Sequence, residues 1–187
     1  SDLGISLIYS NAVIRNNVID AGIGPQSIGI SNISSSPVIC NNTIYVGSGT
    51  REVYGTESEA IAIKNDHTWY TPESKSNPVI QNNLMLATGE NYGSHTLLFV
   101  AGSGCEAAEF SYNTYSNFAS GLPTDMVTNG ESPVNLYHCL DVQTWKLLAN
   151  APAEIKSGGI DLSSDFQTDK DGTLRPPGSW GRGAYQW

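Results

Sequence analysis

The sequence predicts an all-β protein: a right-handed parallel β-helix of three-strand turns, about four turns long, with an Asn ladder and an irregular C-terminal cap. Three observations predict it. A short pattern recurs, in which an apolar residue is followed by Asn three positions on and by an apolar or aromatic residue five positions on. Its copies are Ile14/Asn17/Ile19, Ile39/Asn42/Ile44, Ile80/Asn83/Met85 and Phe110/Asn113/Tyr115. The spacing is constant in the first two copies: Ile5 to Ile30 and Ile14 to Ile39 are both 25 residues, and Ile5 to Ile14 and Ile30 to Ile39 are both nine. Finally, only an Asn pair stands between the second and third apolar stretches of each copy, which leaves no room for a hairpin. A chain that bends without reversing and then repeats is coiling, each turn laying its strands on the last at about 4.8 Å.

Each turn is predicted to hold three two-faced strands. The first is Gly-Ile-Ser-like at Gly4-Ile5-Ser6 and Gly29-Ile30-Ser31, with counterparts at Ala60–Lys64 and Thr96–Val100. The second is the Val-Ile-x before the Asn pair, and the third is the x-Ile after it. Stacking then aligns Ile5, Ile30, Ile63 and Phe99 in one inner column. Ile14, Ile39, Ile80 and Phe110 form a second, and Ile19, Ile44, Met85 and Tyr115 a third. The sharp bend between strands two and three needs a left-handed residue, which Asn tolerates. Stacked amides can also hydrogen-bond up the column, so Asn17, Asn42, Asn83 and Asn113 are expected to form a structural ladder.

The third turn is longer than the others. Eight extra residues precede its first strand and eight follow it, giving insertions at 45–59 and 65–77 that flank one strand and are expected to wall a cleft. They hold Arg51, Tyr54, Glu57, Glu59, Asp66, His67, Trp69 and Tyr70, and Lys64 aligns with Ser31 and Ser6 on the outer face between them. Residues 1–116 are assigned to the coil and 117–187 to excursion loops and the cap of the same domain. Within the latter, Asp141–Leu148 is expected to be a short capped helix with Val142, Trp145 and Leu148 on one face.

Composition narrows the function classes. Only 14% of the 187 residues are charged, against roughly 25% in an average domain, and 9 Lys+Arg face 18 Asp+Glu for a net charge of -9. There is no basic footprint for nucleic acid, and no apolar run approaches the ~18 residues of a membrane span. Cys40, Cys105 and Cys139 lack metal-ligand spacing and are read as free, partly buried thiols or one disulfide with a thiol left over. The chain opens inside a repeat, which is read as a mature or truncated product with any export signal upstream.

The tail reads Asp169-Lys170-Asp171-Gly172-Thr173-Leu174-Arg175-Pro176, then Gly183-Ala184-Tyr185-Gln186. This resembles the D-x-D-G-x-x-R-P…G-A-Y-E ending of bacterial right-handed β-helix proteins of the pectate-lyase-like superfamily, with Gln186 where Glu is usual. With the Asn-pair repeats, the resemblance covers nearly the whole chain apart from about 117–150. It implies the fold and a secreted or cell-surface location; the superfamily mixes lyases, hydrolases, epimerases and adhesins, so it implies no single activity.

The expected function is recognition of a carbohydrate or cell-wall glycan in the cleft, with Arg51, Tyr54, Trp69 and Tyr70 as binding residues. The alternative is a polysaccharide lyase or glycoside hydrolase drawing on Lys64, Asp66, His67, Glu57 and Glu59. A lyase needs a base (Lys64, Arg51 or His67) for the proton beside the sugar carboxylate, and a cation, often Ca²⁺ on Asp/Glu oxygens, to stabilise the developing charge. A hydrolase needs two carboxylates roughly 5–9.5 Å apart, and Glu57 or Glu59 with Asp66 is the available pair. A third reading is a stalk subunit forming an end-on homo-oligomer. No cofactor is expected; Asp165, Asp169 and Asp171 are the residues from which a Ca²⁺ loop would be built.

Overall fold

A computed structural model describes residues 2–48, 59–67, 75–89, 95–101, 104–105, 107–121, 132–133 and 135–187. Three parallel sheets carry the fold. The first stacks β1 (Asp2–Ile8), β4 (Gln26–Ile33), β7 (Glu59–Asp66) and β10 (His95–Val100) in that order. The second stacks β2 (Val13–Arg15), β5 (Val38–Cys40), β8 (Val79–Gln81) and β11 (Glu109–Ser111). The third stacks β3 (Val18–Gly24), β6 (Thr43–Ser48), β9 (Leu84–Gly89) and β12 (Thr114–Ser116), with β13 (Ser132–Pro133) on its edge. Each turn thus places one strand in each sheet, the arrangement of a parallel β-helix.

The registers align equivalent residues. Ile14, Ile39, Ile80 and Phe110 pair in succession, as do Ile19, Ile44, Met85 and Tyr115. Their side chains meet in one core, where Ile30, Ile39, Ile44, Ile63 and Ile80 are fully buried. Each such side chain contributes about 1.5–3 kcal/mol relative to exposure. In the first column Ile5, Ile30 and Ile63 pair in order, but the fourth member is Leu98; Phe99 falls opposite Lys64. The run Leu97-Leu98-Phe99-Val100 has no polar alternation to mark its faces, so the sequence carries no register signal there. The glycine before each isoleucine of the first strands has a steric reason. A Cβ on Gly4 would lie 2.4 Å from Ile19 Cγ2, and one on Gly29 2.5 Å from Ile44 Cγ2. Bare backbone at those two positions lets the isoleucines of the third sheet reach the core.

The Asn pairs divide two tasks between their members. The left-handed bend falls on the first member, at Asn16, Asn41 and Asn82, and on Tyr112 in the fourth turn, with φ of 53–55°. The second member points inward. Asn17 Nδ2 donates to Asn42 Oδ1 (3.1 Å), Asn42 Nδ2 to Asn83 Oδ1 (3.1 Å) and Asn83 Nδ2 to Asn113 Oδ1 (2.9 Å). The same oxygens accept the backbone N–H of Asn17, Asn42 and Asn83.

The segment expected to be a helix is a hairpin: β14 (Leu140–Asp141) pairs antiparallel with β15 (Lys146–Leu147). Asp141 Oδ1 accepts the Gln143 N–H and Trp145 takes a left-handed φ of 59°, which close a turn and stop a helix from propagating. Val142 and Leu148 are exposed, and Trp145 packs on Tyr45. The one described α-helix, α1 (Ala153–Ser157), follows Pro152. Leu136, Leu140 and Ile155 bury Leu84 and Leu86 of β9 in a second small core.

The tail lies along the corner between the second and third sheets and touches every turn. The outward-facing Asn side chains hold it. Asn16 Nδ2 donates to Thr168 O (2.7 Å), Asn41 Nδ2 to Gly181 O (2.9 Å) and Asn82 Nδ2 to Ile160 O (2.8 Å). At the fourth turn Arg182 Nη1 donates to Thr114 Oγ1 (2.9 Å). Arg175, buried against these turns, donates to Gly181 O, Gly183 O and Asn16 Oδ1. Burial lowers its pKa to about 10.

Candidate functional site

The outer face of the first sheet is where the chain concentrates reactive side chains. β7 runs between β4 and β10, and alternation puts Lys64 and Asp66 on its outer face while Asn65 turns inward. Asn65 is fully buried and accepts from Asn32 Nδ2 at 2.9 Å, a second amide rung that the sequence did not mark. Lys64 sits between Ser31 and Phe99 in register. Its ammonium reaches Asp66 Oδ2 at 3.4 Å and lies 5.8 Å from the Phe99 ring centroid. Asp66 Oδ1 accepts the His67 backbone N–H at 2.8 Å. All three side chains keep about a quarter to a third of their surface exposed.

His67 is oriented through one ring nitrogen. Nδ1 is 3.2 Å from Ala101 O, 3.8 Å from Asp66 Oδ1 and 4.0 Å from Cys105 Sγ. A carbonyl oxygen only accepts, so the shortest contact assigns the proton to Nδ1 and leaves Nε2 with its lone pair. Asp66 thus contacts both the Lys64 ammonium and the His67 ring. Cys105 is fully buried and packs beneath. Sequence reasoning missed it, since Cys105 lies 38 residues from His67 and no spacing motif joins them.

The other predicted residues are placed as follows. Glu59 opens β7, seven residues from Asp66 at its end, and binds Gln26 Nε2 at 3.0 Å. A strand of that length separates the two carboxyls by ~23 Å, far beyond the spacing of a hydrolytic pair. Arg51, Tyr54, Glu57, Trp69 and Tyr70 lie outside the described residues. Of the Ca²⁺ candidates, Asp169 has both oxygens occupied: Oδ1 by the N–H groups of Asp171 and Thr173, Oδ2 by that of Gln186. Asp171 pairs with Lys146, and Asp165 Oδ1 accepts from Ser164. These carboxylates organise the tail turn, and among the described residues no His/Cys/Asp/Glu cluster could hold a metal ion. The three cysteines are free and buried.

A second polar constellation lies in the interior. Ser48 Oγ is 2.7 Å from His95 Nε2, and His95 Nδ1 is 2.9 Å from Asn117 O. Both side chains are almost completely buried, and burial lowers the His95 pKa below 6.5. Enclosed in this way, the pair ties the ends of the first and third sheets together.

No family model, curated protein or solved structure matches the chain.

Proposed function

We propose that this protein is a secreted or cell-surface β-helix module that recognises a carbohydrate or cell-wall glycan on its first sheet at Lys64, Asp66 and His67. The observation that carries the reading is the continuous string from the Lys64 ammonium through the Asp66 carboxylate to the His67 ring, part-exposed on one flat face. Adjacent donors and acceptors on an extended sheet suit the hydroxyls of an elongated polymer. The coil is taken as right-handed, because parallel strands in one sheet are joined by right-handed crossovers in about 98% of cases. The tail, with its resemblance to the ending of pectate-lyase-like proteins, is taken as a cap applied along the flank.

A second reading is favoured by the orientation of His67: the protein is a polysaccharide lyase acting on an acidic sugar. His67 Nε2 would remove the proton beside the sugar carboxylate, and Lys64 would stabilise the negative charge that develops. The electron pair from the broken C–H bond then forms the new C=C bond as the glycosidic C–O bond breaks, and the leaving oxygen takes up a proton. A glycan array paired with an ultraviolet assay for unsaturated product on the same polymers tests both readings. Binding with no absorbance supports recognition, and absorbance supports the lyase. An empty array with a flat assay would sink both.

A further inference from the structure

A pocket lies on the tail, away from the first sheet. A cavity of about 200 Å³ opens between β15 and the Asp169–Thr173 turn. At ~30 Å³ per water it holds roughly seven waters' worth of liquid, the bulk of one sugar ring rather than of a polymer. Its framework is fixed. Asp169 is buried, and its carboxylate takes three backbone N–H groups from the turn and from Gln186. Lys146 Nζ meets Asp171 Oδ2 at 2.5 Å and stands 4.8 Å over the Tyr185 ring. The Trp187 ring is held from one side by Lys156 Nζ at 4.1 Å.

The groups that remain available define the ligand. Lys146 has further protons to donate and Asp171 has Oδ1 to accept, while the hydroxyls of Thr173 and Tyr185 can do either. Lys146 and Asp171 neutralise each other, and Asp169 is compensated by Arg175 behind it. The cavity therefore carries no surplus positive charge to attract a phosphate or carboxylate. A donor and an acceptor side by side match a vicinal diol, one hydroxyl accepting from the ammonium and its neighbour donating to the carboxylate. Aromatic walls at Tyr185 and Trp187 suit the C–H face of a pyranose.

We infer that this cavity binds a single neutral sugar ring. The choice of ligand class rests on the glycan reading above, but the site is separate from it and its test is local.

The test is an NMR titration of the isotope-labelled protein with methyl glucoside, methyl galactoside and methyl mannoside, with glucuronate as the charged comparison. The reporter is the Trp187 indole N–H resonance, assigned with Trp187→Phe. At least one neutral glycoside is expected to shift it saturably in the millimolar range. Thr173→Val and Tyr185→Phe, which remove one hydroxyl each, should each weaken that binding about fivefold. Lys64→Met should leave it unchanged. No saturable shift with any neutral glycoside overturns the inference, as does unchanged affinity in both hydroxyl variants or tighter binding of glucuronate. An empty glycan array with a positive Trp187 titration would instead remove only the first-sheet reading.

Discussion

Asn83 sits in the middle of the ladder, and its amide is fully used. Its oxygen takes the backbone N–H and the Nδ2 of Asn42, and its own Nδ2 is shared among Ile39 O, Gln81 O and Asn113 Oδ1. Asn83→Ala removes those bonds and strands a buried N–H of the turn below, at about 1–3 kcal/mol for each group left unpaired. The expected loss in chemical denaturation is therefore about 3 kcal/mol, against less than about 1 kcal/mol for a substitution at an exposed polar residue such as Gln143→Ala. Equal losses would remove the ladder from the account. His95 gives a pH prediction at the same scale. Its Nδ1 must donate to Asn117 O, so the neutral ring accepts from Ser48 at Nε2. With the folded pKa below 6.5 and the unfolded value at 6.5, the unfolded chain binds more protons between the two values. Stability is then full above that window and falls as pH drops through it. The thermal midpoint of the wild type should decline on acidification from about pH 7.5 to pH 5, and His95→Gln should flatten that decline. An unchanged slope in the variant would contradict the assignment.

Among the elements, the tail is the least independent. Its contact with the coil runs through Asn16, Asn41 and Asn82, and it covers Cys40, whose thiol burial raises to about 11. Removing Arg175 leaves Gly181 O, Gly183 O and Asn16 Oδ1 without their shared donor. Arg175→Ala should therefore loosen the tail before the coil opens. Thiol labelling reads this directly: Cys40 should react at least about tenfold faster than Cys105, because local opening precedes global unfolding. If the two thiols react together, the tail and coil unfold as one unit and the element is misjudged.

Much of the coil was legible in the sequence because the features that mark it are local. An Asn pair between two apolar stretches signals the bend, and the constant 25-residue offset signals the stacking. Phe99 was expected where Leu98 stands because an unbroken apolar run leaves both faces of β10 alike, and a helix was expected at the Leu140–Leu147 hairpin because its apolar spacing suits a helix equally well. The tail's docking is not marked by any local spacing: it joins side chains already explained as turn residues to backbone carbonyls 78 to 152 residues away. At the candidate site, Lys64 was readable from its alignment with Ser31 and Ser6, whereas Asp66, read as an insertion residue, ends β7, and Cys105 and the Ala101 carbonyl reach His67 only through folding.

At the scale of the whole molecule, the proposed function lies on the outer face of the first sheet, with the further site inferred on the tail and the rest of the chain serving as scaffold. The third turn differs from its neighbours by what it adds around β7, and Lys64 stands where the turns below have Ser31 and Ser6. Lys64→Met keeps the stem over Phe99 and deletes only the charge. It should leave the far-ultraviolet circular dichroism and thermal midpoint of the coil unchanged. The most direct measurement is the affinity of wild type and Lys64→Met for whichever polysaccharide the glycan array returns. The account predicts a loss of at least about tenfold in the variant, the effect of removing a charged hydrogen bond. Equal affinity in the two proteins, or no bound polysaccharide, would contradict it.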